Sequence, residues 1–210
     1  MTFLGTNGID PNLSPIQGTD GNLYGGTASG GKYGQGTLFK MTPAGTLTPL
    51  YNFCAESGCP DGEGGAPDVL GMDGNFYGGT ANGGKFGYGT VFKFTEAGTL
   101  TTLHNFDATD GSGFKYLVQA SGNFYGATAY GGDLSECFGI GCGTVFKMTT
   151  AGTVTTLYDF CSKSGCADCA VLYNALKQGP DGNYYGTTWG GGSADGGTVF
   201  KILKSRPPER

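Results

Sequence analysis

Asp68 follows a proline at the head of a short apolar stretch, "PDVLG", and Asp61 and Glu63 lie a few residues upstream of it. A glycosidase needs two carboxyl groups about 5 to 10 Å apart, one to protonate the leaving oxygen and one to act as base or nucleophile. Asp68 is the first candidate for that pair, with Asp61 or Glu63 as partner; the plainer reading makes all three solvated loop acids. Other reaction classes find little support. There is no G-x-S-x-G elbow, and the single histidine, His104, stands where other copies of a repeated phrase carry Tyr51 and Tyr158, which marks a packing position rather than a catalytic base. The glycine runs "SGGKYGQG", "NGGKFGYG" and "WGGGSADGG" lack the Lys-Ser/Thr of a phosphate loop, so glycine serves there for bends and close backbone approach.

Six aromatics are placed to bind rather than react. Tyr33, Phe86, Tyr88, Tyr130, Phe138 and Trp189 each lie in or beside a glycine-rich loop. Such rings can stack on the C–H faces of sugars while nearby Asn and Asp meet the hydroxyls; alternatively they cover glycine backbone and neighbouring elements. Tyr24, Tyr77, Tyr125 and Tyr185, with Phe39, Phe92, Phe146 and Phe200, recur at one position per repeat and are core. Asp20, Asp73 and Asp181 each precede glycine and are turn residues. Their "DGN" is part of a calcium-loop pattern, so no cofactor is expected beyond a structural calcium ion.

Six of the seven cysteines form three C-x4-C pairs: Cys54 with Cys59, Cys137 with Cys142, and Cys161 with Cys166. Equal short spacings in glycine-containing loops read as local disulfides, which persist in oxidising compartments. Cys169 is left over, as a free thiol or as the replacement for one member of the nearby pair, and the C-x2-C it makes of "CADC" offers too few ligands for zinc on its own. An extracellular or cell-surface protein is expected, although "MTFLGTNGID" has no basic start or apolar core of a secretory signal, which would then have been removed or omitted.

The 210 residues include 43 glycines and only 14% charged residues, with 38% hydrophobic, so the chain is neither helical nor a charged disordered one. A net charge of −5 without a Lys/Arg cluster argues against nucleic acid. No apolar run is long enough to insert into a membrane.

These residues hang on a phrase written four times. "DGNLYGGTASGGKYGQGTLFK" from Asp20 returns as "DGNFYGGTANGGKFGYGTVFK" from Asp73, and in modified form from Ser121 and Asp181. The period of about fifty residues marks stacked or radial units. Each unit divides into four short β segments: a brief apolar stretch, a D-G or S-G turn, "NFYGGT", "GTVFKMT", and after an A-G-T turn "TLTTLHNF". Four antiparallel strands per unit predict an all-β chain folded as a β-propeller of four blades, the rival being a β-solenoid. The repeats run approximately over 8–56, 57–107, 108–161 and 162–204 in one domain of 1–210, with 1–7 ("MTFL" included) available to complete the last blade. Either four blades close the ring, or the chain is part of a larger ring or half of a dimeric one.

The stretch "DGNFYGGTANGGKFGYGTVFKFTEAGTLTTLHNF" resembles the GloVer tandem repeat, found in bacterial secreted or surface-anchored proteins, and the likeness covers the chain outside Met1–Asn7 and Ser205–Arg210. The resemblance implies a propeller-like fold and an extracellular or surface location. It implies no activity, and the anchoring signal of longer members is not seen here.

In a four-stranded blade the loops joining strands two and three share a face with those joining strand four to the next blade. All three cysteine pairs and all six loop aromatics fall on that face, which makes it the expected site. The leading expectation is a binding module for a polysaccharide or cell-surface glycan. The alternatives are a glycoside hydrolase or polysaccharide lyase using the loop carboxylates, and a structural surface spacer.

Overall fold

The computed structural model describes residues 2–11, 14–135, 137–162, 176–192 and 196–203. Its strands form antiparallel sheets in strict chain order. Blade 1 holds β1 (Ile16–Gln17), β2 (Leu23–Gly26), β3 (Thr37–Met41) and β4 (Leu47–Asn52). Blade 2 holds β5 (Ala66–Leu70), β6 (Phe76–Thr80), β7 (Thr90–Phe94) and β8 (Leu100–Asn105). Blade 3 holds β9 (Ser112–Ala120), β10 (Asn123–Tyr130), β11 (Thr144–Met148) and β12 (Val154–Asp159). Blade 4 has three strands among the described residues, β13 (Lys177–Gln178), β14 (Tyr184–Thr187) and β15 (Val199–Ile202). The fold is the all-β propeller that the repeat predicts.

Burial explains the strand sequences. Middle strands are covered on both faces, since each blade is sandwiched between neighbours, so β6 is buried throughout and β7 at every position but Lys93. The fourth strands lie at the rim and alternate more openly, as in β12. Each core cluster accordingly sits between consecutive blades. Tyr24 meets Phe76 at 4.5 Å, Tyr77 meets Phe124 at 4.2 Å and Tyr125 stacks on Tyr184 at 4.2 Å between ring centroids. A second row joins Phe53 to Phe92, Phe106 to Phe146 and Phe160 to Phe200, and Phe3 packs on Phe39 in the same manner. Burying one such side chain contributes about 1.5–3 kcal/mol, so the recurring Tyr and Phe are what hold blade to blade. Close approach demands glycine: a Cβ on Gly26 would lie 2.0 Å from the carbonyl oxygen of Gly65 in the next blade.

On the turn face Asp20, Asp73 and Asp181 each accept from the backbone and side-chain amides of the asparagine two residues on and from a tyrosine hydroxyl two residues beyond that. The Asn22 amide holds Asp20 below the usual carboxylate range; at Asp73 partial burial opposes the shift, and Asn75 and Tyr77 outweigh it. Lys201 adds an ion pair to Asp181 at 3.0 Å. Blade 3 turns more tightly, with Ser121 and Gly122 at φ 52 and 77 in a two-residue hairpin.

The loop face is set by threonine pairs, buried in blades 1 to 3 and part-buried in blade 4. Thr27 and Thr37 hydroxyls lie 3.1 Å apart, Thr80 and Thr90 3.0 Å, Thr128 and Thr144 3.0 Å, and Thr188 and Thr198 2.7 Å. The first hydroxyl of each pair also accepts the backbone N–H of the second residue. Each pair clamps the base of a strand-two to strand-three loop, whatever the loop contains.

Candidate functional site

Above these clamps, blades 2 and 3 enclose a groove. In blade 2 the loop between β6 and β7 is held by the Lys85 backbone N–H donating to Asn105 Oδ1 at 2.8 Å and by a bridge between Gly83 and Tyr88. The Tyr88 carbonyl accepts the Gly113 N–H at 3.1 Å, which ties this loop to the start of β9. In blade 3 the loop between β10 and β11 is longer and carries a single 3-10 turn, Cys137–Gly139, closed by the Cys137–Cys142 disulfide. Upstream of it Asp133 accepts from the Ser135 N–H and hydroxyl, and those bonds hold its carboxyl below the usual range.

Tyr88, Ala108, Ser112, Tyr130, Leu134, Gly139 and Ile140 line the groove between these loops, with a cavity of about 230 Å³. Tyr88 and Tyr130 are 42% and 41% exposed, and Leu134 and Ile140 are also accessible, so the walls offer ring and aliphatic surface. None of these lining residues carries a charged side chain. An uncharged groove with one serine hydroxyl and tyrosine edges suits a neutral ligand having both apolar faces and hydroxyls.

The other loop aromatics lie elsewhere. The Lys32 ammonium lies 5.1 Å from the Tyr33 ring and that of Lys85 4.9 Å from Phe86, so one face of each ring is occupied. Phe138 stands fully exposed at the tip of the disulfide-closed turn, and Trp189 is exposed in blade 4.

The nominated acids occupy three different settings. Asp68 is the extra residue of a β-bulge in β5, between Pro67 and Val69. The residue is half-buried, but its Oδ2 is shut off from water without a hydrogen-bond partner. Burial raises its pKa well above the usual carboxylate value, opposed only by the Leu117 backbone, and no second carboxylate acts on it. Asp61 instead accepts the Tyr51 hydroxyl at 2.8 Å and the Cys54 N–H at 3.1 Å, a bracing role. Glu63 is joined to Asn82 through its backbone. His104 repeats the brace in blade 2, its Nε2 2.6 Å from Asp110 Oδ2 while its ring packs on Phe106.

Cys54–Cys59 and Cys137–Cys142 are disulfides, and Cys161 is disulfide-bonded too; its expected partner Cys166, like Cys169, lies outside the described residues. Sequence reasoning missed Ser112, Leu134 and Ile140 in the groove, since nothing in one repeat reveals which residues of the next it faces. It also missed the pairing of Tyr51 with Asp61 and of His104 with Asp110, for which the signal was available: an aromatic near the end of the fourth strand with an acid in the loop that follows.

The architecture and the groove define a β-propeller with a recessed, uncharged cleft on its loop face. The chain matches the Gloeobacter/Verrucomicrobia repeat over residues 1–200 and belongs to that family. No curated protein matches it in sequence. Among solved structures it is similar to virginiamycin B lyase from Staphylococcus aureus, at TM-score 0.51 and 14% identity over 92% of this chain and 56% of the other. A putative gluconolactonase gives TM-score 0.51 and 13% identity, covering 91% of this chain and 62% of that one. A putative 6-phosphogluconolactonase from Bacteroides uniformis gives TM-score 0.50 and 19% identity, covering 89% and 51%. The chain thus spans a little over half the length of these propellers, and at such identities the likeness shows the fold alone. Among the described residues no helix is long and apolar enough to cross a membrane.

Proposed function

We propose that the protein is an extracellular or cell-surface binding module whose groove between blades 2 and 3 takes a neutral glycan. One observation carries this reading: Tyr88 and Tyr130, from different repeats, line the same uncharged groove. Stacking on tyrosine faces supplies affinity without charge, and the Ser112 hydroxyl supplies direction. The disulfides support an oxidising location.

The test is retention of the oxidised protein on an array of neutral and acidic polysaccharides, with released sugar ends measured in the same wells. Retention on neutral polymers without release is expected, weakened roughly tenfold by Tyr88→Ala or Tyr130→Ala, in line with about 1.4 kcal/mol per anchor. Unchanged retention in both variants overturns the groove assignment. A second reading, hydrolysis or elimination of a glycan, rests on Asp68, because its burial favours the protonated form that a general acid needs. Release of sugar ends that Asp68→Asn abolishes would favour it.

A further inference from the structure

Two loops of blade 3 bring sulfur together. Cys137 and Cys142 lie between β10 and β11 and Cys161 follows β12, yet their Sγ atoms all lie within 4.8 Å of one another. Cys142 and Cys161 are only 1% and 4% exposed and share a core cluster with Phe160 and Leu176. Cys137 is bonded to Cys142, and Cys161 belongs to another disulfide, so two disulfides stand side by side. Blade 1 shows that one suffices to close such a loop: Cys54–Cys59 follows β4 at the place of Cys161, and its loop between β2 and β3 has no cysteine.

We propose that this cluster is the oxidised form of a site for a thiophilic divalent cation of the zinc and cadmium class, held by Cys137, Cys142 and Cys161 when their disulfides are reduced. Tetrahedral thiolate coordination with bonds of about 2.3 Å sets sulfurs about 3.8 Å apart. That spacing lies between a disulfide bond and the 4.8 Å span of the cluster, so small side-chain movements reach it. A water can fill the fourth position of the tetrahedron. The electrons come from a dithiol or phosphine reductant: each disulfide takes two and becomes two thiols, and the cation then displaces the thiol protons. Gly139 and Ile140 sit between Cys137 and Cys142 and line the groove, so the cation would take over from the disulfide as the brace of that wall.

The experiment is a titration of the phosphine-reduced protein with Cd²⁺ and Zn²⁺ under argon, followed by sulfur-to-cadmium absorption and by mapping which cysteines the metal protects from alkylation. One equivalent is expected to bind and to protect Cys137, Cys142 and Cys161, while the oxidised protein binds none there. Cys142→Ser or Cys161→Ser should weaken binding on the order of tenfold or more, and the double change Cys54→Ser with Cys59→Ser should leave it intact. If reduction loosens the fold, Zn²⁺ should restore the near-ultraviolet dichroism. Absence of protection at these three cysteines, or full binding by the Cys142→Ser variant, or failure of Zn²⁺ to restore a loosened fold, overturns the proposal.

Discussion

The two walls of the groove descend from one repeated phrase and are braced by different means. Blade 2 uses a hydrogen bond, from the Lys85 backbone to Asn105 at the end of β8. Blade 1 does the same from Lys32 to Asn52. Blade 3 has Asp159 at that place, and its Oδ1 is buried with no hydrogen-bond partner, while the longer loop is closed by a disulfide. What all blades share lies one level lower, in the threonine pairs. The repeat keeps its base constant and leaves the loop above free to change length, which is how one blade can face another with a differently shaped wall.

The largest effect should come from the shared base. Thr80→Val and Thr128→Val each leave a buried backbone N–H, that of Thr90 or Thr144, without its acceptor. Each should cost up to about 3 kcal/mol, read as a lower midpoint in chemical denaturation. Equal costs in the two blades support a common base; a cost confined to blade 3 breaks the comparison. Next comes the brace itself. Replacing Cys137 and Cys142 with serine should cost about 2 kcal/mol by loop entropy and also weaken glycan retention, because Gly139 and Ile140 lie in the loop they close. Removing Cys54 and Cys59 should lower stability but spare retention.

Asp68 gives a pH signature that separates the two blades differently, since it sits in β5 against the Leu117 backbone of β9. Its folded-state pKa is raised, so below the unfolded value of about 3.9 both states hold the proton and the group costs nothing. As pH rises toward the folded value, the unfolded state gains by ionising and stability falls. Asp68→Asn should therefore raise the melting temperature at neutral pH, with the two curves converging near pH 4. A gain that persists unchanged at pH 3 would mean that packing, not ionisation, is responsible.

The blades were legible in the sequence because their signals are periodic. The Tyr and Phe of the inter-blade rows recur at one position, and the D-G turns and "GTVFK" strands mark each unit independently. The loop face and the two described cysteine pairs follow from strand order and local spacing. The groove was legible only in part: Tyr88 and Tyr130 were singled out as ligand-binding aromatics, but so were Tyr33, Phe86, Phe138 and Trp189, and which rings share a cleft depends on the Tyr88 carbonyl meeting Gly113 across the blade boundary. The sulfur cluster was hidden for the same reason, since Cys161 meets Cys137 and Cys142 only when β12 lies beside β11. Asp68 stood out in the sequence, but the bulge that buries its carboxyl has no counterpart in the local pattern.

The smallest effect tests where the groove ends. Phe138 is fully exposed and held at φ 61, a left-handed conformation that favours glycine. Phe138→Gly relieves roughly 1 kcal/mol of backbone strain but gives the unfolded chain a comparable gain in freedom. The two offset, and stability should change by less than about 0.5 kcal/mol. Retention should not change either, because Phe138 stands at the tip of the loop whereas Gly139 and Ile140, beside it, face the cavity. A tenfold loss of retention in a variant of unaltered stability would extend the binding surface over the loop tip. The ligand would then be long enough to lie across the disulfide as well as between the two tyrosines.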